Sequence, residues 1–97
     1  MSDDTQALLA ERGNTHGDWK LQASIARDLK CVVEKYDLSR AQVGGGRLED
    51  FKREALDMIQ HKISRILAGN SNHLDHWDDI AGYAVLVRKI LAGVTAP

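Results

Sequence analysis

The chain has a single cysteine, Cys31, among its 97 residues, so no internal disulfide can form. Its setting in Leu29-Lys30-Cys31-Val32-Val33 is that of a small residue at or near a core. No stretch reaches the roughly 18 apolar residues needed to cross a bilayer. The first residues, Met1-Ser2-Asp3-Asp4, lack the basic and apolar regions of a signal peptide, so the expectation is a cytoplasmic protein with no membrane partner. There is no run of one charge either. The 13 Lys and Arg against 14 Asp and Glu give a formal net charge of −1, which offers no electrostatic footprint for a nucleic-acid duplex. Strand-period alternation, internal repeats and low-complexity tracts are also missing, which leaves helices.

Helical period is what the chain does have, and with 43% apolar residues it has the composition of one globular domain, 1–97. Ser2-Asp3-Asp4 reads as a helix start, leading into a short helix over 5–12 with Ala7, Leu8 and Leu9, stopped at Gly13. The polar loop 14–19 follows, in which Asp18 can cap the next helix. Leu21, Ile25, Leu29, Val32 and Tyr36 then recur at three and four, giving a helix from Asp18 to about Tyr36. Asp37-Leu38-Ser39 can cap one further turn, 40–43, and Gly44-Gly45-Gly46 breaks the chain. That run lacks the strand-before, helix-after context of a phosphate-binding loop, so 37–47 reads as a Gly-rich flexible connector. Further helices are expected over 48–68 and 75–92, joined by the turn 69–73, with a flexible tail over 93–97. The expected architecture is all-α: a small helical bundle of one short and three long helices. Its open edges favour self-association, as a homodimer or tetramer.

The hairpin over 48–91 carries the chemistry. A 100° step per residue gathers Leu48, Phe51, Ala55, Met58, Ile59, Ile63, Ile66 and Leu67 into one apolar arc, with Asp50, Glu54, Asp57 and His61 as a neighbouring stripe. Lys62 falls inside the arc, where an ammonium must snorkel outward or find an anionic partner. On the last helix Ile80, Tyr83, Ala84, Leu86, Val87, Ile90 and Leu91 form the arc, and Asp75, Asp79, Gly82 and Leu86 run along its edge. If the hairpin closes, Glu54, Asp57, Asp75 and Asp79 can converge as oxygen ligands for a hard divalent cation, Mg²⁺ with Mn²⁺ as a substitute. Lys62 and Arg65, with His61, would then face the phosphates of a polyphosphate. The loop before the second helix adds Thr15, His16 and Asp18 as hydrogen-bonding groups and Trp19 as a flat surface for a base. Two alternatives stand beside this. The same charges can be ordinary intrahelical ion pairs on a solvated face, or His61, His73, His76, Asp75 and Asp79 can form a transition-metal site. Trp77 can likewise be a base platform or an anchor beside the helix start.

The segment Glu54-Ala55-Leu56-Asp57-Met58-Ile59-Gln60-His61-Lys62-Ile63-Ser64-Arg65-Ile66-Leu67, followed by Asp75-His76-Trp77-Asp78-Asp79-Ile80-Ala81-Gly82-Tyr83-Ala84, resembles the core of the all-α nucleoside triphosphate pyrophosphohydrolases, the MazG-like and dUTPase-like superfamily. The likeness is to a small branch of bacteriophage and prophage genomes in which an Asp-Ile-Ala-Gly-Tyr stretch recurs, and Glu11-Arg12-Gly13-Asn14-Thr15-His16-Gly17-Asp18-Trp19 resembles that branch's opening. The superfamily pairs Glu-x-x-Glu on one helix with Glu-x-x-Asp on the next. Here Glu54-x-x-Asp57 stands for the first pair, and Asp75 with Asp79, or Asp78, for the second. The resemblance implies a Mg²⁺-dependent enzyme of the host cytosol that cleaves a nucleoside triphosphate to monophosphate and pyrophosphate, with Glu54 orienting or deprotonating the attacking water and Lys62 on phosphate. The competing function is a non-catalytic helical module of phage origin that binds a nucleotide or a protein.

Overall fold

The computed structural model describes residues 18–93. Within them lie three α-helices and no strand: α1 over Trp19–Gln42, α2 over Asp50–Ala68 and α3 over Leu74–Leu91. The short helix expected over 5–12, together with Thr15 and His16 and the tail over 94–97, lies outside the described residues.

Local chemistry sets the helix ends. Asp18 caps α1, its carboxylate accepting from the Lys20 N–H at 2.9 Å, as an N-cap acid does for an orphan donor. The expected break at Asp37 does not occur: α1 runs on to Gln42 and the connector is 43–49. Asp37 is 3% exposed and caps nothing in its own helix. Its carboxylate accepts from the Leu48 N–H at 2.6 Å, from Arg53 Nη1 at 2.8 Å and from Arg47 Nε at 3.2 Å. The chain turns at Gly44 and Gly46, whose φ angles of 87° and 74° lie in the left-handed region that other residues resist. Gly45 N–H donates to the Arg40 carbonyl at 2.8 Å and closes the end of α1. In the second turn, Asn70 accepts from the Asn72 N–H and the Trp77 indole donates to the Ser71 carbonyl at 2.8 Å. Trp77 thus anchors the start of α3.

α1 packs on α2 and α2 on α3, while no contact joins α1 to α3. The described helices form an open layer with α2 in the middle, in place of a closed bundle. This explains why the expected apolar arcs are not buried. Of the α2 arc only Ala55 is fully enclosed, and Leu67 is 65% exposed. On α3, Leu86, Ile90 and Leu91 are exposed too. A helix in a single layer has neighbours on two sides at most, so a large side chain keeps one flank in solvent. What the layer does enclose is mainly polar: Gln22, Asp37, Gln60, Ser64 and His76, with Ala26 and Ala55. Cys31, expected at or near the core, is exposed, because it sits on the flank of α1 turned away from Gln22, Ala26 and Asp37.

Candidate functional site

The hairpin register is set by one ion pair. Lys62 Nζ lies 2.7 Å from Asp79 Oδ2, and this is the anionic partner that a lysine in the apolar arc requires. Lys62 is only 12% exposed at its side chain, so the pair is partly withdrawn from water. The ammonium hydrogen bond holds the Asp79 carboxyl below its ordinary value. Further along the same joint, Phe51, Glu54, Ala55 and Met58 face Tyr83, Leu86, Val87 and Ile90 across an apolar groove of about 320 Å³. Asp79 and Gly82 border an adjoining hollow with the same Tyr83 and Leu86.

Glu54 and Asp79 therefore share a face but not a level. Glu54 stands opposite the 86–90 turn of α3, and Asp79 stands opposite Lys62. The eight residues from Glu54 to Lys62 correspond to roughly 12 Å of helix. Asp75 is still farther from Glu54, 80% exposed at its side chain, with Oδ2 3.5 Å from His73 Nε2. Among the described residues no group of three or more His, Cys, Asp or Glu is placed to hold a metal ion. The structure brings Lys62 to Asp79 and leaves Glu54 with Asp57 on α2. It does not bring the four carboxylates together.

Glu54 is exposed and has no ion-pair partner among the described residues. Asp57 is half-buried, and its Oδ1 faces Arg53 Nε at 3.8 Å with neither atom making a hydrogen bond. His61 is one turn on from Asp57. Burial pushes its imidazole below the ordinary value, and the charges of Lys30 and Arg65 push it further, against the opposing pull of Asp57 and Glu54. Arg65 is half-buried, and Trp19 is 72% exposed at the first residue of α1. His16 lies outside the described residues. His73 and His76 meet edge to face at 4.7 Å, and they join no ligand group with His61, Asp75 or Asp79.

Sequence reasoning missed the clasp around Asp37. Glu34 accepts from Arg47 Nη2 through one carboxylate oxygen and from Arg53 Nη2 through the other, the latter at 2.7 Å. Hydrogen bonding from Arg53 and then Arg47 holds the Glu34 carboxyl below its ordinary value, and the Leu48 N–H is the first cause of the same shift at Asp37. A signal was present in the acids Glu34 and Asp37 at i, i+3 and in Arg47 and Arg53, which follow across the glycine run. Beside this clasp lies a second groove, of about 440 Å³, lined by Arg27, Lys30, Cys31, Glu34, Lys35 and Arg53. Comparison of the chain with protein-family models, with curated proteins and with solved structures gives no match.

Proposed function

We propose that the chain is a Mg²⁺-dependent nucleoside triphosphate pyrophosphohydrolase, with Glu54 and Asp57 as the carboxylates that hold the metal. The observation that carries this reading is the state of those two acids. Glu54 has no ion-pair partner among the described residues, and Asp57 Oδ1 is buried without a hydrogen bond, paired only at 3.8 Å with Arg53 Nε. Magnesium keeps much of its water and is commonly held by one or two carboxylates plus substrate phosphates, so an i, i+3 pair fits it where a four-carboxylate cage is not formed. Once bound, the ion would supply charge neutralisation for the triphosphate and acidify a water. Glu54 would orient the attacking water and accept its proton. Arg65 and His61 stand on the same helix as phosphate contacts, and Lys62 neutralises Asp79. The resemblance of 54–67 and 75–84 to the pyrophosphohydrolase core supports the reaction assigned. Self-association belongs to the same reading, since a second copy would cover apolar side chains that the single layer leaves exposed.

The test is a Mg²⁺ titration by calorimetry followed by a chromatographic screen of ribo- and deoxynucleoside triphosphates. Turnover is expected, and Glu54→Gln is expected to lower it by about a hundredfold or more with helicity unchanged by circular dichroism. Parent-rate hydrolysis by that variant would remove Glu54 from the site. A second reading, a helical binding module without turnover, is favoured by the dispersal of Asp75 and Asp79 onto His73 and Lys62. Metal binding with no hydrolysis of any triphosphate would select it.

A further inference from the structure

We propose that the groove between α1 and α2 is an oligophosphate site, in which Arg27, Lys30 and Lys35 receive a short chain of phosphates next to Asp57. The inference deepens the proposed hydrolase by naming its phosphate side, and it rests on that reading only for the ligand's identity as a substrate.

The groove wall carries more positive than negative charge. Arg27, Lys30, Lys35 and Arg53 face one acid, Glu34. Both Glu34 oxygens are already taken, by Arg47 and Arg53, so Glu34 has nothing left for the other cations. Arg27, Lys30 and Lys35 have no ion-pair partner among the described residues. In a chain whose formal net charge is −1, this is a local excess of positive charge along one open, shallow groove, which attracts anions.

Spacing gives the ligand's shape. Arg27 to Lys35 spans eight residues of one helix, roughly 12 Å, which suits a row of anionic groups better than a single carboxylate or phosphate. The volume of about 440 Å³ is within the range of small-ligand sites. Cys31 is the one lining residue without a charge, so the groove grips phosphate and leaves a base unread. Arg53 connects this groove to the acids: it binds Glu34 and Asp37 through its two terminal nitrogens and meets Asp57 with Nε. The positive field also reaches α2, since Lys30 contributes to the lowered pKa of His61. Asp57, whose Oδ1 faces Arg53 Nε at 3.8 Å, repels a phosphate backbone that continues past Arg53, so the ligand is a short oligophosphate and not a nucleic-acid strand.

The experiment is calorimetric titration of the full chain with inorganic tripolyphosphate at low salt, in excess EDTA so that no metal takes part. Binding is expected. It should weaken as salt rises and fall by at least about tenfold in an Arg27→Gln/Lys30→Gln double variant, from loss of two charge-assisted contacts. It should be unchanged in Lys89→Gln on α3. The proposal is overturned if tripolyphosphate does not bind, if the double variant binds like the parent, if Lys89→Gln weakens binding equally, or if a single-stranded oligonucleotide binds tighter than tripolyphosphate. Turnover separates the two ideas. Binding that depends on Arg27 and Lys30 without hydrolysis of any triphosphate keeps the groove and removes the hydrolase. Hydrolysis that needs Glu54 but ignores the double variant keeps the hydrolase and removes the groove.

Discussion

The two joints of the helical layer are built from different materials. Between α1 and α2, a buried carboxylate on Asp37 takes three donors from across the connector, and Glu34 bridges the same two arginines from the outside. Between α2 and α3, Phe51, Met58, Tyr83, Val87 and Ile90 meet in a groove that stays open to solvent, and one ion pair, Lys62 to Asp79, pins the level. Hydrogen bonds are directional and cannot be made in the wrong register, whereas apolar contact tolerates sliding. The first joint fixes geometry through several bonds, and the second rests on apolar area, of which an open layer buries little, with a single ion pair to set its level.

That contrast is broken most severely at Asp37. Asp37→Asn keeps the size but removes the buried charge that Arg47 and Arg53 share, leaving Glu34 as the one acid that the two guanidinium groups still share. It is expected to give the largest fall in melting temperature of any substitution named here, read by thermal circular dichroism. A change no larger than that of an exposed control such as Lys89→Gln would mean the clasp is decoration. Acid probes the same joint in the parent chain. Glu34 and Asp37 have carboxyl pKa values lowered from 4.5 and 3.8, and Asp79 is lowered from 3.8 by Lys62. A depressed acid binds fewer protons folded than unfolded, so its contribution is present above the unfolded value and is lost as pH falls below it. His61, lowered from 6.5, has the same sign: its contribution is complete above 6.5 and lost on acidification below that. Urea midpoints should therefore decline in two steps, one beginning near pH 6.5 and one below about pH 4.5. His61→Gln should shrink the upper step and leave the lower one in place. Stability that rises between pH 7 and 5 would contradict the sign at His61.

Much of this could be read before any coordinates. The helical period located α2 and α3 to within two residues, Asp18 is the cap it was expected to be, and Lys62 in the apolar arc implied the anion that Asp79 supplies. The level of the acids could not be read, and the reason is geometric. A helical wheel reports the angle of a side chain about the axis and says nothing of its height. Glu54 and Asp79 do share a face, yet the short turn at 69–73 pairs Asp79 with Lys62 and sets Glu54 about two turns away. Asp37 was misread for a related reason. A capping residue and a buried acceptor look identical in sequence, and the donors that distinguish them arrive from 10 to 16 residues further on. Cys31 and the apolar arcs show the third limit, since periodicity marks which face is apolar and cannot say whether a neighbour exists to cover it.

Gln60 tests whether polar character by itself matters to the α2 interior. It is 4% exposed, and neither its amide oxygen nor its nitrogen has a hydrogen-bond partner. A buried group left unsatisfied costs about 1–3 kcal/mol, and an apolar replacement of similar shape recovers it. Gln60→Met should raise stability by about 1 kcal/mol, measured by urea unfolding, in contrast to the loss at Asp37. A loss at both sites would show that the amide holds the layer as the clasp does.

The smallest effect is expected on the open side of α3. Gly82 lies in mid-helix, and a Cβ added there meets nothing within 4 Å. In a single chain Gly82→Ala therefore removes the helix penalty of glycine without a clash, a gain of up to about 1 kcal/mol. Sedimentation of the same variant sharpens the comparison of the two joints. If the exposed face beside Leu86 is covered by a second copy, the added methyl group meets a neighbour that one chain does not have, and the variant associates more weakly while its monomer is more stable. If association is unchanged, the seam lies elsewhere, and the glycine is then simply an uncovered break in the propensity of α3.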